Sequence, residues 1–541
     1  MAAPETVTSR STPPAAAPDA LTGARRGPGV PAATAGALIA LTVAGAVLRA
    51  IVAGQSVFAD ELSTYWISAT HGLGGVLSLM YSSGRIQHAE ITPPVSFLAS
   101  WLSTRLGDSP ELLRLPALLA GTATIPLVYA LGRRAVSGPA GLLAAAVTAF
   151  SPFMIYYSAE ARAYGIMMLL VGVAVLAMLI ALDTGRDRWW VVCAVAMAGA
   201  FLTHYTSAFV LAVAMVWALV LHPAARRRTL LAIAGAGLLV VPWIPGLIAD
   251  LQSPTVSILS ALSPFTGTAV RVDIQHWAIG YPYTVAGGIN DLPGVPALVL
   301  LAIVVLATAG GLVARGRREH RLPAPGDAPR RFVLLALLAV ATPTGEILGS
   351  ATGNHIIGVR DLAASWPFLA LAGAALVTAA ARRVAVPAAG LTVVAFVLGG
   401  AKMLEARYQR PDYQSAGAYV AAHARAGDVV IDETGGLSPG PLTGFDVAFH
   451  RRLPVLRARS PAERDHPYTV FDPIVSLQSA VERAVAAAHG HRVFLVAPEL
   501  LTGGPHPNPA PTEFPAAYAL RTLMRYPGIE PTLVAVYAPG R

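Results

Sequence analysis

Long apolar segments separated by short polar loops make up most of the chain. A helix that crosses a bilayer needs about 20 mostly apolar residues. Applying this length to the 541-residue sequence predicts about eleven membrane-spanning helices. They cover residues 33–53, 112–132, 139–157, 164–182, 189–204, 206–221, 229–248, 294–314, 332–349, 363–381 and 387–404.

The first 111 residues contain two regions that depart from this pattern. Residues 1–30 are rich in Pro, Ala, Thr and Ser and poor in large apolar residues, which predicts a disordered tail. The loop 54–111 after the first span contains short helical stretches, which predicts helices lying along the membrane surface. These stretches are residues 62–71, 73–81 and 95–106.

The chain changes character after residue 404, where helix and strand patterns alternate in a mixed polar sequence. The pattern predicts helices at 412–425 and 474–489 and strands at 429–431, 492–497 and 532–537. The predicted fold class is therefore a polytopic α-helical membrane protein, spanning 31–404, with a small α/β domain at 405–541. We expect this domain to cover a cavity or to hold an acceptor.

Composition supports a membrane location. The chain is 55% hydrophobic and 13% charged, with a mean hydropathy of +0.58, whereas soluble domains are about 25% charged. The net charge of +9 comes from short basic clusters between apolar segments, which indicates cytoplasmic loops rather than nucleic-acid binding. Cys193 is the only cysteine, so no intrachain disulfide and no cysteine-based metal site can form.

The basic clusters also predict the orientation. If the N-terminus is cytoplasmic, every strong cluster of the membrane part falls in an inner loop, as the positive-inside rule requires. The loops following the odd-numbered spans and the C-terminal domain are then extracytoplasmic. The inner clusters are Arg133/Arg134, Arg186/Arg188, Arg226 to Arg228, Arg315 to Arg331 and Arg382/Arg383.

Asp60 and Glu61 stand directly after the first span, at the start of the first outer loop. Charged groups beside a bilayer are costly and therefore indicate function. A carboxylate there can accept a proton from an attacking hydroxyl, within reach of a lipid-linked substrate. The alternative is an interfacial pair that faces water or neutralises a loop arginine.

Other polar residues gather on the same predicted face. Glu160 and Arg162 are two positions apart and cannot face each other on a helix, so we expect them to reach different partners, in a salt bridge or on substrate. His204-Tyr205 and Trp277 can bind or stack on a sugar, or belong to the aromatic belt of the interface.

Arg360, His88 and Glu346 are three further polar residues whose chemistry bears on function. Arg360 suits a bidentate grip on a lipid phosphate, although snorkelling to the interface is the alternative. His88 lies close to Glu90, but two possible ligands without a third do not indicate a metal site. Glu346 lies inside the predicted ninth span and requires a partner there.

Several short motifs, in their order and spacing, resemble the GT-C superfamily of membrane glycosyltransferases. The resemblance is specifically to the family 39-like bacterial enzymes, which are related to protein O-mannosyltransferases and to the aminoarabinose transferase that modifies lipid A. It extends over most of residues 40–430. The motifs are Asp60-Glu61, Thr92-Pro93-Pro94, residues 158–164, Thr203-His204-Tyr205, and Arg360-Asp361-Leu362.

The resemblance implies roles for four residues. Asp60 is implied as the general base of an inverting transfer, with Glu61 assisting or structural. Arg360 and Arg162 are implied to contact the phosphate of a polyprenyl-phosphate donor. We expect the remaining substrate contacts at Glu160, Tyr164, His204, Tyr205, His88 and Trp277. No metal or other cofactor is required, although a divalent metal is compatible with the site.

The predicted orientation restricts the donor. Nucleotide sugars are cytoplasmic, so a glycosyltransferase with an extracytoplasmic site needs a donor that has already crossed, and a polyprenyl-phosphate sugar meets this need. The predicted activity is transfer of a hexose or pentose to a cell-envelope glycan, lipid or protein at a bacterial plasma membrane. The alternatives are a lipid-linked sugar flippase or transporter and a non-catalytic protein that binds lipid-linked glycans.

Overall fold

A computed structural model shows a helical membrane protein with a C-terminal sheet. It describes residues 31–82, 91–253, 265–280, 292–318, 327–351, 357–435, 441–450, 453–459, 475–499 and 514–540. Among these residues, eight helical segments are long and apolar enough to cross a membrane, or nine if a bent helix pair forms one span. The fold class predicted from the sequence is thereby confirmed.

The helices that form these segments are, in chain order, α1 (Ala32–Ala53), α5 (Pro110–Ala135), the bent pair α6 (Gly138–Phe150) and α7 (Pro152–Ser158), α8 (Tyr164–Thr184), α11 (Arg226–Val240) with α12 (Ile244–Leu251), α14 (Val295–Arg318), α15 (Asp327–Ala351), α16 (Trp366–Ala379), which a 3-10 turn at Val359–Ser365 precedes, and α17 (Arg382–Met403).

The predicted number of about eleven spans stays a prediction. Two of the predicted spans correspond to α9 (Asp187–Phe201) and α10 (Ser207–Leu221), which have 15 residues each. At 1.5 Å per residue such a helix is about 22 Å long, shorter than the roughly 30 Å hydrocarbon core. These two helices therefore do not meet the length of a full span by themselves.

The remaining helices are short, and several follow the end of α1. The loop after α1 contains α2 (Asp60–Thr70), α3 (Leu73–Ser82) and α4 (Pro94–Ser103), at the stretches predicted to be helical; that they lie along the membrane surface stays a prediction. Pro94 begins α4 at a position where its missing N–H leaves no hydrogen bond unmade. The other short helix of the membrane part is α13 (Gly267–Ala278), and 3-10 turns lie at Thr104–Leu106, Pro223–Ala225, Val241–Trp243 and Ala406–Tyr408.

The bend between α6 and α7 replaces the straight span predicted over 139–157. The two helices meet at 62°, because Pro152 cannot continue the hydrogen-bond ladder of α6. Arg49 of α1, which is fully buried, donates hydrogen bonds to the carbonyl oxygens of Thr148 (2.9 Å) and Ala149 (3.2 Å) at the end of α6. The arginine thus satisfies backbone groups that the bend leaves without helical partners.

The C-terminal part forms a six-stranded sheet in the order β3-β2-β1-β4-β6-β5. Strands β3, β2, β1 and β4 are parallel, and β6 pairs antiparallel with both β4 and β5. The strands are β1 (Val429–Asp432), β2 (Val455–Arg459), β3 (Val475–Ser476), β4 (Val493–Pro498), β5 (Tyr518–Tyr526) and β6 (Thr532–Pro539).

Two helices cover the faces of this sheet. Val429 and Ile431 of β1 pack with α20 (Leu477–Ala488), whereas Val430 points to the other face and packs with α18 (Tyr413–His423). A third helix, α19 (Gly444–Ala448), is capped by Thr443. The sequence pattern missed β5, because this edge strand includes Arg521 and Arg525 and lacks a continuous apolar face.

Residues after α17 pack against the end of the bundle at which α1 ends and α2 begins. Phe58 lies in one apolar cluster with Tyr413 and Ile529, and Val447 packs against a cluster that contains Val57 and Leu62. We call this end of the bundle the domain end. The functional groups considered below lie there.

Close packing of α5 on α6 gives a first prediction. A Cβ atom at Gly141 would lie 2.6 Å from the carbonyl oxygen of Tyr129, a backbone atom that cannot move aside. We expect Gly141→Ala to destabilise the protein by about 1–3 kcal/mol through overpacking, measured as thermal unfolding in detergent. Gly373→Ala in α16 is the control, because a Cβ atom at that position would meet no other atom within 4 Å; an equal loss there would contradict the packing explanation.

Candidate active site at the domain end

Asp60 and Glu61 are adjacent in sequence but point into different surroundings. They form the first two residues of α2, and successive residues on a helix are rotated by about 100°. The Glu61 side chain is fully buried, whereas 25% of the Asp60 side chain is exposed. The two carboxylates therefore have separate electrostatic environments.

Glu61 forms a bidentate ion pair with Arg114 of α5, which is also fully buried. The Arg114 Nε and Nη2 atoms lie 2.7 and 2.6 Å from the two carboxylate oxygens. Arg114 also donates to the carbonyl oxygens of Ala53 (2.7 Å), Gln55 and Ser56 (2.8 Å). One guanidinium group thus joins the end of α1 to the start of α2.

Two further donors complete the surroundings of Glu61. The Nε atom of Arg410 lies 3.1 Å from Oε2, and the backbone N–H of Ala161 donates to Oε1 at 2.7 Å. Burial alone would raise the pKa of Glu61, but Arg114 and Arg410 outweigh it and hold the pKa below its usual value. Glu61 is an anion fixed by two arginines, which is the geometry of a structural group.

Asp60 forms an ion pair with Arg360, which begins the approach to α16. Burial would raise the pKa of Asp60, but the charges of Arg360 and Arg162 hold it below its usual range. The Arg360 side chain is 38% exposed. This pair unites two of the residues that the sequence analysis selected, 300 positions apart, at an accessible place.

Arg162 approaches the same group from the segment between α7 and α8. Its Nη1 atom lies 3.5 Å from the carbonyl oxygen of Asp60, and its Nη2 atom donates to the Thr92 hydroxyl oxygen at 3.0 Å. The guanidinium carbon lies 5.8 Å from the centre of the Phe97 ring. The Thr92-Pro93-Pro94 motif therefore positions an arginine here.

Glu160 is 92% buried beside this group, since its exposed fraction is 8%. Burial, followed by repulsion from Glu61, raises its pKa to about 7, although Arg410 and Arg360 oppose this shift. Among the described residues, its Oε2 atom has no hydrogen-bond partner. Glu160 and Arg162 thus have different surroundings, as their spacing predicted, and Glu160 can exchange a proton near neutral pH.

His204 and Tyr164 form the neighbouring wall of the site, with ring centres 5.4 Å apart. Nδ1 of His204 lies 3.4 Å from the backbone nitrogen of Thr206 and 2.9 Å from its hydroxyl oxygen, and Nε2 lies 3.9 Å from an oxygen of Asp361. Burial, together with Arg162 and Arg360, lowers the pKa of His204 to about 3. The ring is therefore a neutral hydrogen-bond donor in this environment.

The other predicted substrate contacts lie differently. The Tyr205 hydroxyl donates to Asp250 at 2.5 Å and accepts from the Trp243 indole at 3.0 Å, so it is bonded to α12 and to the 3-10 turn before it. Trp277 is buried, and its carbonyl oxygen accepts from the indole of Trp366 at 3.1 Å. His88 lies outside the described residues. A substrate role for these three stays a prediction.

Two site residues were missed by the sequence analysis. Arg114 falls inside the predicted span 112–132, and a charge inside an apolar segment is itself a signal of a buried partner. Arg410 lies in a polar segment, where nothing distinguishes it from the exposed Arg407. Among the described residues, no three His, Cys, Asp or Glu side chains lie together as metal ligands; that the protein requires no metal stays a prediction.

Comparison with known proteins supports one family of enzymes. Residues 91–247 match the family model described as dolichyl-phosphate-mannose-protein mannosyltransferase. This segment contains Thr92, Glu160, Arg162, Tyr164 and His204. The match confirms the resemblance to the GT-C glycosyltransferases that the motifs indicated. Among curated proteins, no sequence matches this chain.

Three solved structures show similarity over different shares of the chain. ArnT from Cupriavidus metallidurans bound to undecaprenyl phosphate is 14% identical, with a TM-score of 0.48, covering 92% of this chain and 97% of that one. The oligosaccharyltransferase of Archaeoglobus fulgidus is 12% identical, with a TM-score of 0.48, and the match covers 86% of this chain and 69% of that one. The S. cerevisiae protein O-mannosyltransferase Pmt1-Pmt2 complex bound to the sugar donor is 15% identical, with a TM-score of 0.29, and the match covers 43% of this chain and 34% of that one.

The Glu61 ion cluster gives a prediction for stability. Glu61→Gln leaves Arg114 and Arg410 buried without their anion, and losing one partner of a buried pair costs about 3–5 kcal/mol. We expect a loss of this size in thermal unfolding at neutral pH. The carboxylate's contribution is fully present above an unfolded pKa of about 4.3 and disappears as the pH falls through the lower folded pKa.

The control for this prediction is Glu405→Gln. Glu405 pairs with Arg407 at 3.1 Å, and both side chains are more than half exposed. Such a surface pair contributes about 0–1 kcal/mol. If Glu61→Gln cost no more than Glu405→Gln, the cluster would not be the structural centre described above.

Proposed function

We propose that this chain is a membrane glycosyltransferase that transfers a sugar from a polyprenyl-phosphate donor to a hydroxyl group of an extracytoplasmic acceptor. The acceptor is an envelope glycan, a lipid or a protein. The family match over residues 91–247 supports this class of reaction, because the matching family is described by a lipid-phosphate-linked mannose donor. The domain end is proposed to be extracytoplasmic, as the basic loops predict.

The contact between Asp60 and Arg360 carries the proposal. It combines a partly exposed carboxylate with a partly exposed guanidinium, and Arg162 and Glu160 lie beside it. Inverting glycosyl transfer from a lipid phosphate needs a base for the acceptor and a cation for the leaving phosphate. The lipid tail of such a donor is proposed to lie beside the spans, with its phosphate at the domain end.

The donor phosphate is proposed to bind Arg360, with Arg162 adding positive charge behind it. A planar guanidinium forms two parallel hydrogen bonds with a phosphate, which a lysine cannot do. A phosphate bound to Arg360 would share this cation with Asp60. The pKa of Asp60 would then rise towards its usual value, which makes the carboxylate a better base when donor is present.

The chemical step proposed is a single displacement. Asp60 accepts the proton of the acceptor hydroxyl as its oxygen forms a bond to the anomeric carbon. The bond between that carbon and the phosphate oxygen breaks on the opposite face, and the phosphate leaves with the electron pair as polyprenyl phosphate. The configuration is inverted, the proton ends on Asp60, and Arg360 stabilises the charge that develops on the phosphate.

The test is transfer by purified protein from a panel of synthetic polyprenyl-phosphate hexoses and pentoses. General-base catalysis contributes about 10²–10⁴-fold, so Asp60→Asn is expected to lower kcat at least about hundredfold while donor still binds. Asp108→Asn, in an exposed part of the same loop, is the control. Full transfer by Asp60→Asn would exclude the base assignment. Lipid-linked sugar crossing liposomes without transfer would favour a transporter.

The raised pKa of Glu160 predicts how donor binding depends on pH. Above about pH 7 Glu160 becomes an anion beside Asp60 and Glu61, and this third negative charge repels the donor phosphate. A sugar phosphodiester keeps one charge throughout this range. We expect the donor KM to rise between pH 6 and about 8 in the unsubstituted protein, and to stay constant in Glu160→Gln. The same rise in both would show that Glu160 is not the titrating group.

A further inference from the structure

Arg410 belongs to the segment that follows the last spanning helix, yet its side chain lies in the membrane-domain site. It is 2% exposed, with Nε 3.1 Å from Glu61 and Nη2 3.3 Å from the carbonyl oxygen of Ala159. Its guanidinium lies 4.6 Å from the centre of the Tyr156 ring. An arginine from outside the bundle is therefore built into the cluster beside the proposed base.

The backbone around Arg410 holds the loop that leads to Asp60. The Arg410 N–H donates to the side-chain oxygen of Gln55 at 3.0 Å, and the Gln414 N–H donates to the Ser56 hydroxyl oxygen at 3.2 Å. In the same loop, two residues after Ser56, Phe58 packs against Tyr413. Each of these contacts joins residues 55–58 to the C-terminal part.

Ala59 connects this held loop to the proposed base and has a strained backbone. Its φ of 51° and ψ of −127° are angles that a residue with a side chain rarely adopts. Such a conformation persists only where its surroundings fix it. Here Phe58 on one side and Glu61 on the other are both held by residues from the C-terminal part.

We propose that Arg410 is a positioning residue, through which the docked C-terminal domain holds residues 55–61 so that Asp60 faces the donor. This inference rests on the proposed function, since it assigns the domain a part in the same transfer. It differs from a covering role, because it makes the orientation of Asp60 depend on docking. The enzyme would then be competent only while the C-terminal domain is in place.

Cross-linking tests docking without any assay of transfer. The full chain would have Cys193→Ala, Ser56→Cys and Gln414→Cys, so that only the contact between residues 56 and 414 can form a disulfide. Removing Arg410 leaves Glu61 short of one buried partner, so Arg410→Gln should slow disulfide formation with limiting oxidant at least about threefold. Arg407→Gln, an exposed arginine three positions earlier, should not change the rate.

Kinetics then test positioning. With Arg360 and Arg162 intact, Arg410→Gln should lower kcat at least about tenfold and leave the donor KM within about threefold. Arg410→Lys should be intermediate, because one ammonium cannot reach Glu61 and Ala159 together. Oxidising the cysteine pair in Arg410→Gln should restore most of kcat.

The outcomes separate the two hypotheses. Unchanged cross-linking in Arg410→Gln, an unchanged kcat, or no recovery on oxidation would overturn the positioning role, provided the variant elutes as a single folded species. If the unsubstituted protein transfers no sugar while Arg410→Gln still slows cross-linking, the proposed function fails and the docking contact stands. If the unsubstituted protein is active and Arg410→Gln is equally active, the proposed function stands and Arg410 only adds packing.

Discussion

The buried ion pair between Glu61 and Arg114 is the constraint on which the domain end depends. Neither side chain has exposed surface, and a charge removed from water must find all its partners within the protein. Those partners come from the end of α1, from the backbone at Ala161 and from Arg410. None of these segments can move away without leaving a buried charge unpaired. The position of Asp60, one residue before Glu61, follows from this requirement.

A related principle explains why Arg49 is buried. Helices that bend or end near a membrane expose carbonyl oxygens that lipid cannot satisfy. Arg49 binds the carbonyl oxygens at the end of α6, and Arg114 binds those at the end of α1. The bend at Pro152 directs the chain through α7 to residues 159–163, which bring Glu160 and Arg162 to the site. Stabilised breaks in the helices thus make room for polar side chains at the domain end.

The sequence predicted those features that depend on local patterns. Apolar length predicted the helices, and charges beside apolar segments selected Asp60, Arg162 and Arg360, which the structure brings together. Long-range partners were not predictable, because no local pattern links Glu61 to Arg410, about 350 positions later. The raised pKa of Glu160 has the same origin, since it depends on burial and on charges from other segments. Long-range packing, rather than residue type, decides which charge is structural and which is available.

Asp60 and Glu61 have nearly identical side chains, but packing makes one of them structural and leaves the other accessible. Glu61 accepts hydrogen bonds from Arg114 at both oxygens and from the backbone of Ala161, so protonating it would break several buried contacts at once. Asp60 is partly exposed, and the arginine that forms an ion pair with its carboxylate, Arg360, is partly exposed as well, so a phosphate could engage this arginine in its place. A general base must exchange partners during a catalytic cycle, whereas a structural anion must not. The helical rotation between adjacent residues allows one dipeptide to supply both a fixed anion and an accessible carboxylate.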